Sequence, residues 1–148
     1  MQVTVYYFAA LREDGTVITW GYSGFGGNSS SVSTKITTKT HAAFQKVTDI
    51  SATGSAFAAI RSDGSVVTWG NSLDGGDSSG VASAIDGDSP PTDVVQVYST
   101  TSAFAALQQN GAVITWGDVN NGGSVASVAS SVNGSTCLLY TSDAADER

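Results

Sequence analysis

Cysteine, proline and charge are all scarce in this chain of 148 residues. The one cysteine, Cys137, excludes an intrachain disulfide and any cysteine-rich metal site. The two prolines, Pro90 and Pro91, are adjacent, so a ring that cannot sit in a paired strand interior interrupts the chain at one place. Charged residues make up 13%, and 6 Lys and Arg against 13 Asp and Glu give a net charge of −7. So few cations leave no electrostatic footprint for a nucleic-acid backbone and little attraction to an anionic membrane. No stretch approaches the roughly 20 apolar residues of a spanning helix. The N-terminus lacks the basic and continuous apolar regions of a secretory signal, which makes the cytoplasm the default compartment.

Catalytic groups are equally thin. His41 is the only histidine and stands among Thr and Ala, so the Ser and Thr residues have no His and Asp partners for nucleophilic catalysis. The acidic stretches Asp74 to Asp77 and Asp86-Gly87-Asp88 could offer oxygens to a hard cation, but lack the spacing of an EF-hand loop or of the nonapeptide calcium repeat. The Gly-Gly pairs precede no lysine, as a phosphate cradle would require. The expectation is a protein that is not an enzyme and holds no metal or cofactor. Asn28-Ser29-Ser30 and Asn133-Gly134-Ser135 match the N-glycosylation pattern, which carries meaning only in a secreted chain.

Glycine is plentiful at 17 residues, and apolar residues reach 41%, which suits short strands and tight turns and excludes a disordered chain. The dominant feature is a phrase stated three times. Phe8 to Val32 reads FAALREDGTVITWGYSGFGGNSSSV, Phe57 to Val81 reads FAAIRSDGSVVTWGNSLDGGDSSGV, and Phe104 to Val128 reads FAALQQNGAVITWGDVNNGGSVASV. Trp20, Trp69 and Trp116 stand 49 and 47 residues apart. Self-similarity at a fixed period near fifty is the mark of a stacked-repeat architecture. The first copy has a short lead, MQVTVYY, where the others have KVTDISATGSA and DVVQVYSTTSA. Either Met1 is not the native start or the terminal copy is atypical.

Each copy reads as a β-hairpin. Asp14-Gly15, Asp63-Gly64 and Asn110-Gly111 are hairpin-turn dipeptides. Their acidic and amide side chains are assigned to the turn rather than to catalysis. The strand after each turn is β-branched and aromatic. Both strands are apolar on both faces, which implies sheets covered on each side. Trp20, Trp69 and Trp116 are assigned to the core, with the indole N–H in need of a partner. The motif V-x-x-[IV] at Val47 and Ile50, and at Val94 and Val97, reads as a lead strand, so each unit supplies three or four strands.

These residues resemble the regulator of chromosome condensation family of propeller repeats, built on a unit like A-L-x-x-[DN]-G-x-V-[YF]-x-W-G. The match falls on Ala10-Leu11, Asp14-Gly15, Val17 and Trp20-Gly21, on Ala59-Ile60, Asp63-Gly64, Val66 and Trp69-Gly70, and on Ala106-Leu107, Asn110-Gly111, Val113 and Trp116-Gly117. The family's histidine before Ala-Leu and its G-Q-L-G after Trp-Gly are not kept. The resemblance implies an all-β fold, a partial β-propeller of stacked antiparallel blades in about three repeats. The repeat region spans 1–136, with cores 8–32, 57–81 and 104–128. It implies a non-catalytic protein-interaction module that binds a protein partner through its loops. The alternatives are guanine-nucleotide exchange on a small GTPase, or the propeller portion of a large ubiquitin ligase.

The loops after each Trp-Gly vary between copies, and their expected contact residues are Tyr22, Phe25, Asn71, Leu73, Asp74, Asp118, Val119 and Asn120. A third reading is purely structural: units that self-associate through open flanks. Residues 137–148, CLLYTSDAADER, break the pattern and read as an adaptor-derived tail, set against a genuine short C-terminal helix.

Overall fold

The structure is a computed structural model and describes residues 6–87, 93–124, 126 and 132. The strands are β1 (Tyr7–Leu11), β2 (Val17–Gly21), β3 (Val47–Ala52), β4 (Ala56–Arg61), β5 (Val66–Gly70), β6 (Val94–Ser99), β7 (Ala103–Gln108) and β8 (Val113–Gly117). They form three small antiparallel sheets: β1-β2, β3-β4-β5 and β6-β7-β8. A four-residue helix, α1 (Ser33–Ile36), and short 3-10 segments, the longest at Ser79–Ala84, fill the stretches between sheets.

The hairpins form because their turns are chemically specified. The Asp63 carboxylate accepts from the Ser65 backbone N–H at 3.1 Å, Asp14 from that of Thr16 at 3.0 Å, and Asn110 from that of Ala112 at 2.9 Å. Gly64 takes φ +76°, a left-handed backbone open to glycine. The Gly64 carbonyl also accepts from the Val94 N–H at 2.9 Å, as that of Gly15 does from Val47 at 2.9 Å. The first two turns thus abut the first strand of the next sheet.

The register is the same in all three hairpins. Phe8 pairs with Trp20, Phe57 with Trp69, and Phe104 with Trp116. Ring centroids in these pairs lie 5.2, 5.3 and 5.3 Å apart. Alternation then sends each Phe–Trp pair to one face and the alanines around it to the other. Both faces of the middle sheet are buried. Its Phe57, Ala59, Val67 and Trp69 pack with Val17, Ile36 and Val47 in one cluster. Its Ala56, Ala58, Ile60 and Val66 pack with Val97, Phe104, Ala106 and Trp116 in the other. Apolar residues on both strand faces are legible in these terms.

The expected all-β partial β-propeller is not what forms. The fold is mixed α/β, with open sheets that neither curl nor close into a propeller. The resemblance to the regulator of chromosome condensation family therefore stops at the local motif. The reason lies after Trp20-Gly21 and Trp69-Gly70, where a propeller blade would carry its outer strand. Here the Ser-, Gly- and Ala-rich stretches wind into 3-10 turns and α1. Ile36 and Ile85, which are 0% and 2% exposed, plug the sheet edge instead of extending it. Among the described residues the sheets have two strands in the first unit and three in each of the others. Functions that depend on a propeller lose their basis: partner binding at propeller faces, nucleotide exchange and the ligase propeller. Pro90-Pro91, Asn133-Gly134-Ser135 and the 137–148 tail lie outside the described residues.

Candidate functional site

The feature that recurs is a seam between one unit's loop and the next unit's Phe–Trp pair. After β2, β5 and β8 the chain makes the same single 3-10 turn, at Ser23–Phe25, Ser72–Asp74 and Val119–Asn121. The residues before these turns, Tyr22, Asn71 and Asp118, have ψ 121°, 123° and 118°. Asn71 accepts from the Leu73 N–H at 3.0 Å and Asp118 from the Asn120 N–H at 2.9 Å. That bond holds the Asp118 carboxyl below the usual carboxylate range. Tyr22 has no such acceptor and packs edge-on against Phe25 at 5.0 Å.

Each turn ends on a glycine with nearly the same left-handed backbone: Gly26 at φ +100°, Gly75 at +97° and Gly122 at +101°. This backbone aims a carbonyl at the neighbouring sheet. The Trp69 indole N–H donates to the Gly26 carbonyl at 3.1 Å, and the Trp116 indole N–H to the Gly75 carbonyl at 3.1 Å. The bonds satisfy donors that are buried, since Trp69 is 2% and Trp116 5% exposed. The ring partner covers the glycine itself. A Cβ on Gly26 would lie 2.7 Å from the Phe57 ring, and one on Gly75 would lie 2.5 Å from the Phe104 ring.

Among the described residues the series is open at both ends. Phe8 and Trp20 are 48% and 50% exposed, with Ile18 beside them at 48%. Among the described residues the Trp20 indole meets no acceptor and the Gly122 carbonyl no donor. Among the described residues a Cβ on Gly122 would meet only a methyl of Thr100, at 3.8 Å. The core assignment of the three tryptophans therefore holds for Trp69 and Trp116, while Trp20 lies half in solvent.

The eight expected contact residues divide. Leu73, Val119 and Asn120 are exposed at the loop tips, and Tyr22 is half-exposed. Asn71 and Asp118 cap the turns. Phe25 lies against Tyr7 and Tyr22. Asp74 bonds the Ser55 hydroxyl through its carboxylate, and its carbonyl accepts from the Thr53 hydroxyl at 3.0 Å. Asp74 and the burial of Tyr7 together raise the Tyr7 phenol pKa, burial being the larger cause. Among the described residues no hydrogen bond or ring contact joins one of the three loops to another.

Sequence reasoning missed the plugs. Ile36, Ile85 and Val132 each stand sixteen residues after their tryptophan. The carbonyls of Ile85 and Val132 accept from the Val66 and Val113 N–H groups at 2.8 and 3.0 Å. That constant offset was the available signal. Among the described residues no cluster of three His, Cys, Asp or Glu could hold a metal. Asp77, from the acidic stretch 74–77, accepts from the Ser79 N–H at 2.9 Å, and Asp88 lies outside the described residues. His41 is exposed and accepts from the Ala43 N–H at 3.1 Å. A shallow groove of about 280 Å³ runs along Arg61, Ser62, Gly64, Asp93 and Gln109. One carboxylate oxygen of Asp93 is buried there without a partner among the described residues. No helix among the described residues is long and apolar enough to cross a membrane. No protein-family model matches the chain, and no curated protein matches it significantly.

Proposed function

We propose that the chain is a non-catalytic structural module whose work is to join surfaces by stacking sheet on sheet. The observation that carries this reading is the contrast within one motif: Trp69 is 2% exposed in its seam, and its counterpart Trp20 is 50% exposed. An aromatic pair of this size gains most from burial, and its indole gains an acceptor as well. The open flank of β1-β2 carries that pair in the register it has in both filled seams. Nothing in this mode needs a reacting group, a metal or a cofactor. We place the module in the cytoplasm by default, where a lone thiol such as Cys137 forms no structural bridge.

Sedimentation velocity over about a hundredfold range of protein concentration tests the reading, since a self-joining surface makes mass rise by mass action. Mass should rise with concentration, and tryptophan emission should shift to the blue as Trp20 leaves water. The Phe8→Ser/Trp20→Ser double variant should lose both effects. A wild-type chain that keeps the mass of one copy throughout overturns the reading.

A further inference from the structure

We infer that the surface covering the Phe8–Trp20 flank is the Gly122 loop of a second copy of this chain, joined head to tail. The inference rests on the stacking reading above and names its partner. The complement of an open Phe–Trp face is visible twice inside the chain, where it is a 3-10 turn ending on a left-handed glycine whose carbonyl takes the indole proton. The third such turn is already built. The Asp118 carboxylate takes the Asn120 N–H at 2.9 Å and the Asn121 side-chain amide at 2.7 Å, and the Thr100 hydroxyl holds the Asn121 carbonyl at 2.8 Å. The Gly123 N–H closes the turn on the Asp118 carbonyl at 2.8 Å, as Gly76 does on Asn71 at 2.8 Å.

What differs is occupancy. Gly26 and Gly75 are buried beneath a phenylalanine ring, and Gly122 is exposed, with no ring against it among the described residues. The β1-β2 hairpin thus presents the donor half of the seam and the Gly122 loop presents the acceptor half. In the joined state the Trp20 indole N–H donates to the Gly122 carbonyl of the second copy, and Phe8 covers that glycine. Two different surfaces meet, so the contact is heterologous and each added copy leaves a fresh donor and a fresh acceptor exposed. Association then continues until a ring closes or as an open filament.

Two half-disabled variants decide the matter. Trp20→Ser removes the donor face and keeps the loop; Gly122→Val blocks the loop and keeps the face. Each alone should associate at least about tenfold more weakly than wild type, as loss of a central aromatic anchor does. Mixed, they should form a 1:1 complex that stops at two chains, through the one intact face and the one intact loop. A silent mixture, or a Gly122→Val chain that associates as strongly as wild type, overturns the head-to-tail contact while the stacking reading stands on the wild-type association. A wild-type chain that never associates overturns both. Should Gly122→Val fail to fold, NMR of the wild-type chain, with fluorinated tryptophan and ¹⁵N amides, decides instead. The Trp20 fluorine and the Gly122 amide should shift together with concentration, and a Trp20 shift with a silent Gly122 amide overturns the contact.

Discussion

The first hairpin and its two successors are nearly the same sequence in different surroundings. FAALREDGTVITWG and FAAIRSDGSVVTWG fold with one register and one turn geometry. In the second and third units the Phe–Trp pair lies under 10% exposed, and in the first it is about half exposed. Local sequence sets the hairpin, while the neighbour decides what the aromatic pair is worth. Burial of a ring is a property of the pair of units, and the same residues contribute very differently to stability according to whether a preceding loop is present.

The largest expected effect comes from removing the rings one unit at a time. Trp69→Ala should cost about 3–5 kcal/mol, and Trp116→Ala a similar amount, as fully buried aromatics do. Trp20→Ala should cost less than about 1 kcal/mol in a dilute chain. Urea unfolding measures all three, and equal losses at Trp20 and Trp69 would break the comparison.

The loop side is tested by glycine. Gly75→Ala meets both a left-handed backbone and the Phe104 ring at 2.5 Å, so it should cost about 2 kcal/mol or more. Gly122→Ala keeps the backbone strain alone and should cost about 1 kcal/mol. The difference between their thermal midpoints isolates the packing part, and coincident midpoints would mean that the Phe104 ring does not rest on Gly75.

A subtler change keeps the ring and removes the proton. Trp69→Phe leaves the Gly26 carbonyl without its donor and shrinks the ring, and should cost about 1–2 kcal/mol. Trp20→Phe should be nearly neutral. Equal responses would mean that the indole bond contributes nothing to the seam.

The smallest effect compares the turns. Asp14 bonds Lys39 at 2.6 Å, while Asp63 stands 3.6 Å from Arg61. The Lys39 contact first, then the Thr16 hydroxyl and N–H, hold the Asp14 carboxyl well below the usual carboxylate range. A carboxylate with a lowered folded-state pKa stabilises above the unfolded value of about 4 and loses that contribution as pH falls toward the folded one. Asp14→Asn should therefore be slightly less stable than wild type at pH 7, and the gap should close below about pH 4. Because the pair is exposed, salt should shrink the gap as well. A gap that persists unchanged into acid would assign the effect to something other than charge.

These contrasts also show what could be read from residues alone. The hairpins, their Asp-Gly and Asn-Gly turns, and the two-faced apolar strands were legible because each is a local pattern with a local cause. The propeller was not a sound extension. Whether the stretch after Trp-Gly becomes an outer strand or a 3-10 turn depends on what packs beside it, and strand preference is decided by such context. SGVASA is built almost wholly of small residues, STKI carries the strand formers Thr34 and Ile36 and still turns helical, and the apolar anchors Ile36 and Ile85 go inward. The loops were legible as loops. The seam was not, because its acceptor is a backbone carbonyl, which any residue possesses, and its donor lies 43 or 41 residues away.

That separation has a direction. Trp69 reaches back to Gly26 and Trp116 back to Gly75; in both seams the indole is the later residue. A chain growing from its N-terminus on a ribosome therefore presents each turn before the tryptophan that closes it. The second and third hairpins each find the turn that receives their indole already translated, while the Val66 and Val113 N–H groups wait for the later carbonyls of Ile85 and Val132. The seams can thus form in chain order, each indole closing on a turn made before it.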